Sequence, residues 1–203
     1  MFDSKLRRWI DPPLNRLGIA IANQGITANQ VTLAGALVGA LAGLAIGLHQ
    51  PLAGLALILL SRLLDGLDGA IARATRPTDF GGYLDILCDY VFYLAVPLGF
   101  GFADAELLPY ALALAASFTL TAVSFLAYAT LAAKRGMQTL AHGRKSFFYS
   151  TGLAEGTETI AAFVLMCLFP AAFPLIASLF TGLCLLTVVQ RTLIARAEFR
   201  EDH

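Results

Sequence analysis

The sequence predicts an all-α integral membrane protein, in which a bundle of six transmembrane helices follows an amphipathic helix at the membrane surface. Of the 203 residues, 58% are hydrophobic and only 14% are charged, whereas soluble domains carry about 25% charged residues. Residues 20–61 and 159–190 contain no Asp, Glu, Lys or Arg. Because a span needs about 20 apolar residues, the first stretch is long enough for two spans, and the second is long enough for one span and most of another.

Residues 1–25 form the first predicted element, a helix on the membrane surface. Apolar residues recur there at helical spacing, whereas Lys5, Arg8 and Arg16 lie off the apolar stripe. This pattern is typical of helices that lie in the membrane interface. We expect a kink at the proline pair of positions 12 and 13, because proline removes a helical hydrogen bond. The stripe comprises Leu6, Trp9, Ile10, Pro13, Leu14 and Leu17.

Residues 26–203 form the predicted six-span membrane domain, which carries the chemistry. The sequence Thr-Ala-Asn-Gln from Thr27 has capping-box spacing and predicts the start of the first span. Tight turns are indicated by His-Gln-Pro from His49 and by Phe-Pro-Ala-Ala-Phe-Pro from Phe169. The predicted spans are 29–48, 51–73, 81–101, 107–133, 152–170 and 173–196.

The basic residues predict the orientation of these spans. All 14 Lys and Arg fall on one side, whereas residues 102–107 on the other side carry only Asp104 and Glu106 as charges. The positive-inside rule assigns the basic side to the cytoplasm. Both termini are therefore expected there, in the inner or plasma membrane if the protein is bacterial.

The first span carries a glycine at every fourth position: Gly35, Gly39, Gly43 and Gly47. One smooth helix face results, which allows another backbone to approach closely. We favour packing inside the bundle, and the alternative is the interface of a homodimer.

Four aspartates interrupt the second and third spans. Asp65 and Asp68 are three residues apart, and Asp85 and Asp89 are four apart, so each pair shares one helix face. The short connection between the spans places both pairs at the same, cytoplasmic end. Carboxylates inside a membrane are costly and indicate a functional site.

The charge of these aspartates indicates a metal site. Four carboxylates sum to about −4, which matches two divalent cations, and hard oxygen ligands suit Mg²⁺, Mn²⁺ or Ca²⁺ rather than zinc. The alternative is that some of them cap helices or pair with Arg62, Arg73 and Arg76. Gly66, Gly69, Gly81 and Gly82 leave room for phosphates, and Arg73 can reach one. Together these residues are typical of a two-metal phosphoryl-transfer site.

The segment from Asp65 to Asp89 resembles the signature of the CDP-alcohol phosphotransferase (CDP-alcohol phosphatidyltransferase) family. That signature reads Asp-x-x-Asp-Gly-x-x-Ala-Arg, a short loop, and Gly-x-x-x-Asp-x-x-x-Asp. The loop here is one residue shorter than the usual pattern, so either Gly81 or Gly82 fills the motif glycine position. The matching positions are Asp65, Asp68, Gly69, Ala72, Arg73, Gly81, Asp85 and Asp89.

The resemblance implies an enzyme of phospholipid biosynthesis with the six-span layout and two divalent cations, Mg²⁺ or Mn²⁺. An alcohol attacks a CDP-linked donor and CMP leaves. Asp65, Asp68, Asp85 and Asp89 are the implied metal ligands, and Asp89 also accepts the proton of the acceptor hydroxyl. The residues implied for the nucleotide and pyrophosphate are Asp68, Gly69, Ala72, Arg73 and Gly81.

The family has two branches, and a chain of 203 residues is similar to the one that transfers phosphatidyl from CDP-diacylglycerol to a small polar alcohol. The alternative is transfer from CDP-choline or CDP-ethanolamine to diacylglycerol. Arg144 and Lys145 are candidates for binding glycerol 3-phosphate or inositol phosphate, or for anchoring to lipid headgroups. Glu158, together with Glu155 three residues before it, is a candidate for contacting an amine, as in serine, or for pairing with Lys145. Members that use inositol phosphate tend to carry Glu-Arg where this chain has Glu158-Thr159.

Two further classes of function compete with the enzyme. A cation transporter would use the aspartates as an ion pathway, but all four cluster at one membrane face. An inactive scaffold is disfavoured, because every motif aspartate is present. The expected partners are the two substrates and membrane lipids, with no nucleic acid.

Overall fold

The computed structural model describes residues 3–136 and 156–199, which are helical apart from short connections. Each predicted span corresponds to a helix whose bounds differ by a few residues. The described part of the predicted fifth span begins at residue 156. The helices are α1 (Asp3–Ala22), α2 (Ala28–Gly47), α3 (Pro51–Ala74), α4 (Asp79–Ala103), α5 (Leu108–Lys134), α6 (Gly156–Leu168) and α7 (Phe173–Glu198).

Within residues 3–136 and 156–199, four helical segments are long and apolar enough to cross a membrane. Two other helices of the bundle differ from them: α3 carries Arg62, Asp65, Asp68 and Arg73, and the described part of α6 has 13 residues. The helical structure of the described residues and these four apolar segments confirm the prediction of an all-α membrane protein. The four segments are Ala28–Gly47, Asp79–Ala103, Ala105–Lys134 and Pro170–Glu198.

The start of α2 is the predicted capping box. The backbone N–H of Thr27 donates to Gln30 Oε1 at 2.9 Å, and the backbone N–H of Gln30 donates to Thr27 Oγ1 at 3.4 Å. These two bonds satisfy donors that a helix start leaves without a helical partner. A one-turn 3₁₀ helix, Pro170–Ala172, makes the turn between α6 and α7.

The glycine face of α2 packs inside the bundle, as favoured. A Cβ atom added at Gly43 would lie 2.3 Å from the carbonyl oxygen of Ala95, and one added at Gly99 would lie 2.3 Å from the carbonyl oxygen of Gly43. The backbones of α2 and α4 are therefore in direct contact. At Gly39 the added atom would meet Phe92 of α4 and Ser61 of α3, so both helices cover this face.

The N-terminal helix α1 continues through Pro12 and Pro13 and packs across α3. An added Cβ at Gly18 would lie 2.8 Å from the Cβ of Ala70, and one at Gly66 would lie 3.0 Å from Leu14 Cδ1. Small residues on both helices therefore set the distance between α1 and the helix that carries two of the aspartates.

The centre of the bundle is aromatic. Phe92 of α4 packs edge-on against Phe163 of α6, with ring centroids 5.5 Å apart. Phe118 of α5 contacts the rings of both Phe163 and Phe180. These rings join the last four helices of the bundle just beyond the aspartates on α4.

Candidate active site

The connection between α3 and α4 brings the two aspartate pairs together. α3 ends at Ala74, and α4 begins after Thr78, whose side chain accepts a hydrogen bond from the backbone N–H of Gly81 at 3.0 Å. Asp79 lies in the first turn of α4, where a negative charge is favoured by the helix dipole. Both helices pack against α2, and the short connection between them places all four aspartates at the same end.

Three of the four aspartates form a compact cluster. Carboxylate oxygens of Asp65, Asp68 and Asp85 lie within 4.8 Å of one another. Asp85 is exposed, Asp65 is partly buried, and Asp68 is only 5% exposed. Asp68 Oδ2 is buried and has no hydrogen-bond partner among the described residues. A buried carboxylate oxygen left in this state is costly, and a cation bound by the cluster would relieve it.

The fourth aspartate, Asp89, lies outside this cluster and pairs with an arginine. Arg62 Nη1 donates to Asp89 Oδ1 at 2.8 Å and lies 3.6 Å from Asp65 Oδ2. The alternative that the aspartates pair with arginines, rather than bind metal, therefore holds for Asp89. It holds in part for Asp65, whose contact with Arg62 is longer. The sequence indicated Arg62 only as a possible ion-pair partner of the aspartates, and its position three residues before Asp65 is the local signal for that contact.

A cavity of about 620 Å³ opens beside the cluster. Four of the five residues implied for the nucleotide line it, namely Asp68, Gly69, Ala72 and Gly81. The cavity walls also include residues from the start of α2 and from the connection between α3 and α4, which were not expected to bind the nucleotide. These residues include Thr27, Asn29, Thr75, Arg76 and Thr78.

Arg73, the fifth residue implied for the nucleotide, points toward α1. Its Nη2 donates to Asn15 Oδ1 at 3.1 Å, and its Nη1 would lie 3.2 Å from a Cβ added at Gly69. The glycines of the motif also differ from each other. An added Cβ at Gly81 would meet Thr78 Oγ1 at 3.0 Å, whereas one at Gly82 would meet nothing within 4 Å. Close packing therefore favours glycine at position 81 more than at position 82.

A second, smaller cavity of about 160 Å³ lies one to two helical turns further into the bundle. Tyr90 and Tyr93 of α4, Thr121 of α5 and Thr159 of α6 contribute polar groups to its lining. Glu158, the candidate acceptor residue next to Thr159, is partly buried, and its Oε2 has no hydrogen-bond partner among the residues described. The other two acceptor candidates, Arg144 and Lys145, lie outside the described residues.

Comparison with known proteins gives a family. The sequence model described as CDP-alcohol phosphatidyltransferase matches residues 25–193. The chain is 47% identical to the inner membrane protein YnjF of Escherichia coli K12, over 94% of this chain and 93% of that protein. It is 44% identical to an archaetidylinositol phosphate synthase of Pyrococcus horikoshii, over 42% of this chain and 46% of that protein.

The fold is similar to that of a solved relative. The crystal structure of Mycobacterium tuberculosis phosphatidylinositol phosphate synthase with CDP-DAG bound superposes with a TM-score of 0.72 at 21% sequence identity. The match covers 90% of this chain and 93% of the other. At this identity the likeness concerns the fold, and it extends over nearly the whole molecule.

Proposed function

The chain belongs to the CDP-alcohol phosphatidyltransferase family, and from that premise we propose that it transfers a phosphatidyl group from CDP-diacylglycerol to a small polar alcohol, with release of CMP. The observation that carries this proposal is the cluster of Asp65, Asp68 and Asp85, of which Asp68 and Asp85 also line the larger cavity. Carboxylates suited to a hard cation thus adjoin a cavity that has room for a nucleoside diphosphate. The activity belongs to phospholipid biosynthesis.

Asp65, Asp68 and Asp85 would hold a divalent cation, Mg²⁺ or Mn²⁺. The donor set fits, because oxygen ligands from three carboxylates converge within 4.8 Å and hard cations prefer such ligands. The unpartnered Oδ2 of Asp68 is a further sign that this group awaits a ligand. When bound, the cation supplies positive charge that stabilises the negative charge developing on CMP.

The larger cavity is proposed to bind the CDP moiety of the donor. Gly69, Ala72 and Gly81 leave room in its wall for phosphates and sugar, and the hydroxyl of Thr78 and the amide of Asn29 offer hydrogen bonds. We propose that Arg73 also contacts the pyrophosphate. To do so, its guanidinium would give up the hydrogen bond to Asn15. Because guanidinium groups bind phosphate oxygens through paired N–H donors, an arginine suits this role.

Asp89 is proposed to accept the proton of the acceptor hydroxyl. As the hydroxyl oxygen bonds to the phosphorus that carries diacylglycerol, the bond from that phosphorus to the CMP oxygen breaks, and the proton moves to the carboxylate. Arg62 engages Asp89 through Oδ1 and so fixes its orientation. A carboxylate in this role contributes about 10²–10⁴-fold to the rate.

The smaller cavity is proposed to take the acceptor alcohol. It begins at Tyr90, directly after Asp89, and its hydroxyl-bearing lining suits a polar molecule. Glu158, which lies next to this lining, is the described candidate for contacting it. Relatives named archaetidylinositol phosphate synthase support inositol phosphate as an acceptor to test, beside glycerol 3-phosphate and serine.

The arrangement in the membrane is proposed as predicted. Residues 1–25 would lie on the membrane surface, and residues 26–203 would cross it six times, with both termini and the site in the cytoplasm. The basic residues support this orientation, and a relative named an inner membrane protein supports the membrane. A homodimer stays a prediction, and its interface would not be the glycine face of α2, because α3 and α4 cover that face.

The experiment that tests the activity uses the purified full chain in detergent. CDP-diacylglycerol is offered with radiolabelled inositol phosphate, glycerol 3-phosphate or serine in turn, and CMP and labelled lipid are separated by chromatography. We expect CMP release and one labelled lipid that depend on both substrates. Transfer from CDP-choline or CDP-ethanolamine to diacylglycerol instead would favour the other branch. Cation flux in proteoliposomes without any CMP release would refute the enzyme.

A further inference from the structure

One nitrogen atom, Nη1 of Arg62, lies between two of the four aspartates. It is 2.8 Å from Asp89 Oδ1 on α4 and 3.6 Å from Asp65 Oδ2 on α3. A Mg²⁺ ion shared by the same two oxygens would have to lie about 2.1 Å from each. In this structure the two oxygens instead share a nitrogen of the guanidinium, whose positive charge would repel a cation placed between them.

Contacts on several sides hold the guanidinium in this place. Its central carbon lies 3.9 Å from the centroid of the fully buried ring of Phe92, which favours a cation electrostatically. Arg62 Nη2 donates to Ser61 Oγ at 3.3 Å, and Ser61 Oγ in turn donates to the carbonyl oxygen of Gly35 at 2.9 Å. The side chain of Arg62 is 12% exposed. Arg62 is therefore a built-in part of the site.

The charge of the site points to the same conclusion. The guanidinium remains protonated in proteins, so it reduces the charge of the four carboxylates from about −4 to about −3. The charge that remains without an internal partner belongs chiefly to the cluster of Asp65, Asp68 and Asp85. One divalent cation neutralises most of it, whereas two would give the donor-free site a net positive charge.

We propose that Arg62 takes the place of one of the two divalent cations expected from the sequence, so that the donor-free protein holds one cation. This inference rests on the metal site of the proposed function. The single cation is bound by Asp65, Asp68 and Asp85, and Asp89 is not among its ligands. Arg62 is thus a positioning residue, which keeps Asp89 off the metal and available to the acceptor hydroxyl.

The test counts metal ions directly. The purified full chain is stripped with chelator, freed of donor and titrated with Mn²⁺, and the free ion is measured by electron paramagnetic resonance. We expect one tight site in the wild type. Asp89→Asn should keep that site, whereas Asp85→Asn should weaken it by at least about tenfold, the loss typical of disturbing a metal site. In Arg62→Met, which keeps an unbranched apolar stem against Phe92, we expect a second site.

Each outcome separates the inference from the proposed function. Two tight sites in the donor-free wild type, or a lost site in Asp89→Asn, would overturn the inference and leave the proposed activity standing. No tight site at all would overturn the proposed metal site. If Arg62→Met does not elute as a folded monodisperse protein, Arg62→Lys replaces it. Lysine keeps the charge and is expected to keep one site, so a second site in that variant would contradict the role of the charge.

Discussion

The contact between α2 and α4 leads to a prediction about stability. In Gly43→Ala, the new Cβ would lie 2.3 Å from the carbonyl oxygen of Ala95 and 2.7 Å from its carbonyl carbon. These are backbone atoms, so no side chain can rotate away. The helices must separate by about 1 Å to restore ordinary contact distances. Such overpacking costs about 1–3 kcal/mol.

A matched control isolates this cost. Gly47 lies four residues further along the same helix face, and an added Cβ there meets its nearest heavy atom at 3.6 Å, an ordinary contact. Replacing glycine by alanine also stabilises a helix by up to about 1 kcal/mol. Gly43→Ala and Gly47→Ala both gain this stability, to different degrees. Gly182→Ala in the middle of α7, with nothing within 4 Å, measures that gain by itself.

The assay is reversible unfolding in mixed detergent micelles, which reports the free energy of unfolding. We expect Gly43→Ala to be less stable than Gly182→Ala by about 1–3 kcal/mol, and Gly47→Ala to lie close to the wild type. If Gly43→Ala unfolds with the same free energy as Gly182→Ala, the close crossing of α2 and α4 does not exist in the protein, and the reasoning fails.

Three further predictions concern the site and the membrane. Removal of divalent cations with EDTA should abolish CMP release and Mg²⁺ or Mn²⁺ should restore it, while Asp68→Asn should lower the rate by at least about two orders of magnitude; full activity after exhaustive dialysis against EDTA would contradict this. Asp89→Asn should retain binding of CDP-diacylglycerol in a filter assay but lose about 10²–10⁴-fold in transfer; normal turnover per bound donor would show that Asp89 is not the base. A cysteine at Ala105 should react with an impermeant reagent from outside the cell and one at Gly136 only after lysis; the reverse pattern would require other spans.

The helices could be predicted from the sequence because their ends are marked by local chemistry. The capping box at Thr27 and the prolines after Gln50 and Phe169 act within a few residues of themselves. The glycine face of α2 could be predicted for a similar reason, since a repeat of four residues defines one side of a helix. The alternation of apolar stretches and basic residues predicted the number of spans and their orientation.

The parts of the site that depend on distant residues could not be predicted. Arg62 and Asp89 are 27 residues apart, and nothing in the spacing distinguishes Asp89 from Asp85 as the partner of an arginine. The wall that Asn29 adds to the larger cavity depends on how α2 packs beside α3 and α4. Helical periodicity shows which residues share a face, but it does not show which neighbour that face meets.

The packing of α1 on α3 bears on how this sequence is free to change over evolutionary time. Leu14 lies over Gly66, and Gly18 lies over Ala70, so each pair shares one small volume. A larger residue at one member requires a smaller residue at the other, and the two positions of a pair are expected to drift together. Gly69, between them in the chain, faces Arg73 and the larger cavity instead. Substitution at Gly69 would therefore be constrained by ligand binding, whereas substitution at Gly66 and Ala70 would be constrained by packing against α1.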